Sequence, residues 1–271
     1  VRAYSSDVKL AMDGSLNVSG GGTGMDGIEA GNHSKVAFTG VKELNVSGDT
    51  QLGTYGVNAS DNSQVDGEAE SLTVKSTGSA YGVRALKNSS ADLSVTGAVK
   101  VATTGDSAYG VRAVNNSTVS ADFGSLAVSA SGDATGLYAS TSSMKLSAAG
   151  PVSATSATRT TSGIEVQNNS PVSADLGSLS VTADKGAASG IYSYSNSASS
   201  IDITGGLTVS GDGGTGITAR GGAAHQITVN GLTDVSLRNG ADETKAIHAS
   251  YGAAISLNGG LSVDVTKATS V

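Results

Sequence analysis

The sequence predicts an all-β solenoid of stacked parallel coils, on three observations. A four-residue head recurs along the chain at a nearly constant interval. Between heads, short runs alternate apolar and polar residues with a period of two, and residues that tolerate a left-handed backbone fall at the same place in most intervals. A repeat of roughly 20 to 50 residues marks units that cannot bury their apolar faces alone and stack to do so. A period of two belongs to strands, and no window shows the i, i+3, i+4, i+7 spacing of an amphipathic helix.

The first element of each unit is the head: Gly, an aliphatic residue, a variable residue, a small residue. It reads Gly27-Ile28-Glu29-Ala30, Gly56-Val57-Asn58-Ala59, Gly82-Val83-Arg84-Ala85, Gly110-Val111-Arg112-Ala113, Gly136-Leu137-Tyr138-Ala139, Gly163-Ile164-Glu165-Val166, Gly190-Ile191-Tyr192-Ser193 and Gly216-Ile217-Thr218-Ala219. Ala246-Ile247-His248-Ala249 carries Ala for Gly, and Val1-Arg2-Ala3 is a truncated first copy. The gaps are 29, 26, 28, 26, 27, 27, 26 and 30 residues.

Next comes a corner. Asn62-Ser63, Asn88-Ser89, Asn116-Ser117, Asn169-Ser170 and Asn196-Ser197 hold it, with Ser142-Ser143 in one copy and Gly222 and Gly252 in others. Asn and Gly accept positive φ, so a tight left-handed turn is expected there. Stacking would bring the Asn side chains to about 4.8 Å from one another, within reach of an amide ladder. The second run follows, as in Val119 to Phe123, and then a third of the form Leu-x-Val: Leu44-Asn45-Val46, Leu72-Thr73-Val74, Val99-Lys100-Val101, Leu126-Ala127-Val128. Glycines just before it, at Gly124, Gly177, Gly206, Gly231 and Gly260, mark a second corner.

Three strands and repeated sharp corners in each unit resemble a right-handed parallel β-helix, about ten coils of ~27 residues and three strands apiece. At ~4.8 Å per coil the rod is roughly 50 Å long. The reading takes residues 1–271 as a single β-helix domain.

Composition agrees. The chain has 38 Gly but only 2 Phe, 2 Pro and no Trp, so the interior is narrow and filled by Val, Leu, Ile and Ala. A net charge of -7 with 14% charged residues offers no basic surface to nucleic acid. Cysteine is absent, which excludes disulfides and thiolate metal sites. No apolar run approaches the ~20 residues that span a bilayer as a helix.

Candidate chemistry is sparse. Gly22-Thr23-Gly24-Met25-Asp26-Gly27 fits GxGxxG, yet it opens a strand, whereas a dinucleotide loop opens a helix. His33, His225 and His248 fall in different coils and are expected at the surface or at corners. Asp66, Glu68 and Asp92 are the best acidic group, Asp66 and Asp92 being outward on neighbouring coils. Arg84 and Arg112 belong to another face, so no acid–base constellation is assembled and no cofactor is called for.

The first-strand face holds more. With the aliphatic and small residues of the head pointing in, the variable residue points out, which builds the column Arg2, Glu29, Asn58, Arg84, Arg112, Tyr138, Glu165, Tyr192, Thr218, His248. A second outward column adds Tyr4, Leu86, Val114, Gln167, Tyr194 and Arg220. Arg and Tyr concentrate where surfaces make energetically important contacts, so Arg84, Arg112, Tyr138, Tyr192, Tyr194 and Arg220 are the candidate binding residues. Tyr55, Tyr81 and Tyr109 are expected to form a separate stack before the glycines. Val83 and Ile164 are expected inside, and replacing the outward Asn58 by Asp is expected to matter little.

These Gly/Ser/Thr-rich, Cys-free, acidic repeats with Tyr-Gly-Val-Arg-Ala heads look like the passenger region of bacterial autotransporters. The resemblance implies an adhesin-type segment of a longer surface protein, lacking a leader and attached to the membrane only through a missing C-terminal β-barrel. It implies a bacterial cell-surface or extracellular location and a role in virulence. A host surface protein, a glycan, or another copy on a neighbouring cell would be the partner. A polysaccharide-degrading β-helix enzyme and a purely structural stalk are the alternatives.

Overall fold

The computed structural model describes residues 1–194, 198–221, 225–238 and 244–266. All regular elements among them are strands, and they wind into a right-handed parallel β-helix of about nine turns. One strand from each coil forms a ten-stranded front sheet: Arg2–Tyr4, Met25–Gly31, Thr54–Ser60, Ala80–Leu86, Ser107–Val114, Asp133–Ser140, Thr161–Gln167, Ala188–Tyr194, Gly214–Arg220 and Lys245–Ser250. The second and third runs form the thirteen-stranded back sheet.

In seven coils, from Asp7–Gly22 to Val172–Ala183, these two runs join into one bent strand. In the remaining coils they separate, as in Ser199–Ile203 and Leu207–Gly211. The bend coincides with a register shift, between Phe123 and Ser125 in the strand Thr118–Ala130. Glycine recurs there because the coils touch backbone to backbone: a Cβ on Gly124 would lie 2.5 Å from the Thr96 carbonyl oxygen.

The first corner is a pair of left-handed residues. Asn62, Asn88, Asn116 and Asn169 all have φ near +60°, as expected, and so do the residues before them, Asp61, Lys87, Asn115 and Asn168. Tyr251 and Gly252 repeat the pair, while Asn196 and Gly222 lie outside the described residues. This geometry turns the backbone toward the next coil, so that Asn62 N–H donates to the Lys87 carbonyl at 2.9 Å and Asn116 N–H to the Thr141 carbonyl at 2.7 Å.

The hydrogen-bonded side-chain column is not the expected amide ladder. The Asn side chains are exposed, and the buried serine after each one carries the ladder instead. The N–H groups of Ser34, Ser63, Ser89, Ser117 and Ser142 each donate to the serine Oγ of the following coil, at 3.1 to 3.2 Å. Two successive left-handed residues point the amide to solvent and bring the next residue inward, where a short hydroxyl fits.

The interior is a continuous apolar column that includes Val83 and Ile164, both wholly buried. Volumes compensate between coils: Phe38 fills the space over Gly67, where a Cβ would stand 2.0 Å from its ring. One expectation fails here. His225 is not at the surface: it occupies the inward column of Val119, Met144, Val172 and Ser199. It has no solvent exposure, and its Nδ1 lies 2.9 Å from both Ser193 Oγ and Ser199 Oγ. The alternation His225-Gln226-Ile227-Thr228-Val229 carries the reason, since the histidine shares the parity of the two aliphatic residues. His33 does sit at a corner and is exposed, and His248 is half-buried on the front sheet.

Candidate binding face

The head column stacks in register across the front sheet, Asn58 with Arg84, Arg84 with Arg112, Arg112 with Tyr138, Tyr138 with Glu165 and Glu165 with Tyr192. It points away from the core but is not freely solvated. Glu29, Asn58 and Thr218 are buried, because the long side chains on adjacent coils lie over them. Asn58 is a bridge: its Nδ2 donates to Asp26 at 3.0 Å, and its Oδ1 accepts from Arg84 Nε at 3.0 Å. At the N-terminal end Arg2 pairs with Asp26 at 3.2 Å and with Glu29, and Tyr4 donates to Glu29 at 2.9 Å. Burial first, and then the charge of Asp26, raises the Glu29 pKa.

The tyrosine stack is part of this face. Tyr55 and Tyr81 lie parallel with ring centres 4.8 Å apart, Tyr81 and Tyr109 follow at 5.3 Å, and Tyr109 meets Tyr138 edge-on at 6.0 Å. Arg84 sits 4.0 Å above the Tyr55 ring, and Arg112 lies 5.1 Å from Tyr109 and 5.6 Å from Tyr138. In an ideal strand Tyr81 and Arg84, three apart, would face opposite ways. They share a face because Gly82 and Val83 are both turned inward, a local break in alternation. Glycine permits it: a Cβ on Gly82 would meet the Gly110 carbonyl oxygen at 2.5 Å. The recurrent Gly-aliphatic pair was the signal for this rotation in the sequence.

Among the described residues, Arg84 and Arg112 form no ion pair, and Arg112 Nε is buried without a hydrogen-bond partner. Each guanidinium is held by aromatic faces, at about 0.5–1 kcal/mol where exposed and about 2 where desolvated. Burial also raises the pKa of Tyr55 and Tyr109, with the nearby arginines opposing it, so both phenols stay protonated as donors at neutral pH. A second cluster lies beyond Glu165. Tyr192 and Tyr194 are nearly parallel with centres 6.2 Å apart, and Arg220 lies 5.7 Å from Tyr194. The six candidate residues therefore fall into two groups, Arg84, Arg112 and Tyr138 in one and Tyr192, Tyr194 and Arg220 in the other.

No family model, curated protein or solved structure matches this chain.

The other candidates resolve by position. Gly22 to Gly27 links the strands Asp7–Gly22 and Met25–Gly31, so the GxGxxG is a solenoid turn. Asp66 and Asp92 are register partners on the back sheet, and Asp66 is held by Lys35 Nζ at 2.8 Å and by Gln64. Arg84 and Arg112 are on the front sheet, away from them. Among the described residues no three His, Cys, Asp or Glu side chains gather as metal ligands, and no helix is long and apolar enough to cross a membrane.

Proposed function

We propose that this chain is an adhesive segment displayed at a bacterial surface, of the autotransporter-passenger type, which attaches through its front sheet. The partner is a host surface component or a second copy on a neighbouring cell. One observation carries the reading: in an acidic chain, Arg84 and Arg112 are spread over a continuous strip of tyrosines and have no acidic partner among the described residues. Cations on aromatic supports, with donors left over, are suited to contact with another surface. Many weak contacts along a rod give avidity without a deep pocket.

Substituting Arg84, Arg112, Tyr138, Tyr192 and Tyr194 together by Ser tests it in bacteria displaying the chain. Attachment or cell clumping falls while the circular dichroism of the purified variant stays that of a β-helix, and salt weakens the arginine-dependent part. Undiminished attachment by the folded variant rejects this face. Depolymerisation of a polysaccharide by the unaltered chain moves the case to an enzyme.

A further inference from the structure

Resting on the reading of the front sheet as the binding face, we propose that a hollow at its C-terminal end receives the anionic group of an acidic glycan. The hollow encloses about 130 Å³ and is lined by Tyr192, Thr215, Thr218, Arg220, Lys245 and His248.

Its origin is one small residue in a column of large ones. Tyr192, Thr218 and His248 are register partners on three successive coils, and every other position of that column carries Arg, Glu, Asn, Tyr or His. Thr218 leaves a gap between the imidazole and the phenol. Thr215 and its register partner Lys245 close one side, and Arg220, two residues past Thr218 on the same face, closes the other.

Two independent features point to a ligand. Thr218 is only 5% exposed, and its Oγ1 has no hydrogen-bond partner, although it sits on the floor of the hollow. A buried hydroxyl without a partner is costly and is seldom left so, and here a ligand oxygen can complete it. The second feature is charge. A chain of net charge -7 places Arg220 and Lys245 around one cavity, whose described lining includes no Asp or Glu. Guanidinium and ammonium donors beside a hydroxyl suit a carboxylate or a sulfate.

Size and shape select the rest of the ligand. At about 130 Å³ the hollow has room for one anionic group together with a few waters. The ring would rest outside against Tyr192, beside which Tyr194 lies at 6.2 Å between ring centres. A flat aromatic surface flanking a polar hollow with hydroxyls at its base matches a pyranose bearing a charged substituent.

Calorimetric titration of the purified chain tests this with three probes: polygalacturonate oligomers (carboxylate only), dextran sulfate oligomers (sulfate) and neutral dextran oligomers. At least one acidic probe binds, and which of the two binds identifies the anion; the neutral probe does not bind. The double substitution Arg220→Ser and Lys245→Ser lowers that affinity by roughly tenfold or more. Thr218→Val, which removes the buried hydroxyl, weakens binding with an unchanged or higher melting temperature. Lys100→Ser, at an exposed cation on the back sheet, changes affinity by less than about twofold. The proposal is overturned by equal binding of neutral dextran, by full affinity in the Arg220/Lys245 variant, or by poly-glutamate binding as tightly as the acidic saccharides. If no acidic probe binds but the five-residue front-face variant loses attachment, the hollow is rejected and adhesion stands. If an acidic probe binds but attachment survives that variant, the front-face route of attachment is rejected and the hollow stands.

Discussion

Glu165 separates the two Tyr–Arg clusters, with Tyr138 on one side and Tyr192 on the other. Burial raises its pKa above the ordinary 4.5, and the hydrogen bond from Gln167 opposes the rise only in part. A carboxyl with a raised folded-state pKa binds its proton more tightly in the native chain. Its contribution to stability is therefore fully present below pH 4.5 and is lost as pH rises through the folded value. Glu165→Gln removes that loss: melting temperature at neutral pH rises, the two proteins converge at acid pH, and a lower neutral-pH melting temperature for the variant would contradict the assignment. Asn58 shows the opposite error of intuition. As a sequence position it reads as a tolerant outward residue, but in the structure it donates to Asp26 and accepts from Arg84. Asn58→Asp removes the bond donated to Asp26 and sets a second carboxylate against it in a buried position, with only Arg84 to offset it, so the melting temperature falls. An unchanged melting temperature would restore the expectation that the change matters little.

The corner is the element whose conformation the residue types state most directly. A non-glycine L-residue in the left-handed region costs about 1–2 kcal/mol, less for Asn and nothing comparable for Gly. With Asn88 at φ 59°, Asn88→Ala lowers unfolding free energy by about 1 kcal/mol, whereas Asn88→Gly stays within about 0.5 kcal/mol of the parent. Denaturant titration of both variants checks this, and equal losses would mean that the side chain rather than the backbone matters. The partner position was less legible. Lys87 and Thr141 also hold positive φ, and nothing in those residue types announces it, because the turn is imposed by stacking between fixed coils. The front strand hides a similar surprise: Tyr81 and Arg84 share a face only through the Gly82-Val83 break in alternation.

At the scale of the whole molecule, each coil meets only its neighbours, so stability is close to a sum of nearest-neighbour interfaces. End coils have one neighbour instead of two. Val8, Leu10 and Met12 at one end and Ile255 and Leu257 at the other are only partly buried, while Val119, Leu126 and Ile164 in between are wholly covered. Amide exchange in this 271-residue chain is therefore fastest in Asp7–Gly22 and Ala254–Leu257 and slowest around Thr118–Ala130 and Thr161–Gln167. Uniform protection along the chain, read by mass spectrometry, would indicate a single cooperative unit instead.

Solenoid architecture, coil length, the left-handed corner and the inward positions of Val83 and Ile164 were determined by the sequence alone. Their causes are local and repeated: period-two alternation, backbone tolerance of Asn and Gly, and a fixed interval that makes each coil the template for the next. Tertiary structure decided what the outward residues do, because their neighbours lie a full coil away in the chain. The merging of the tyrosine stack with Arg84 and Arg112, the burial of Asn58 and His225, the serine ladder and the hollow over Thr218 all depend on side-chain reach and volume between coils. That is a property of stacked surfaces, which no single repeat contains.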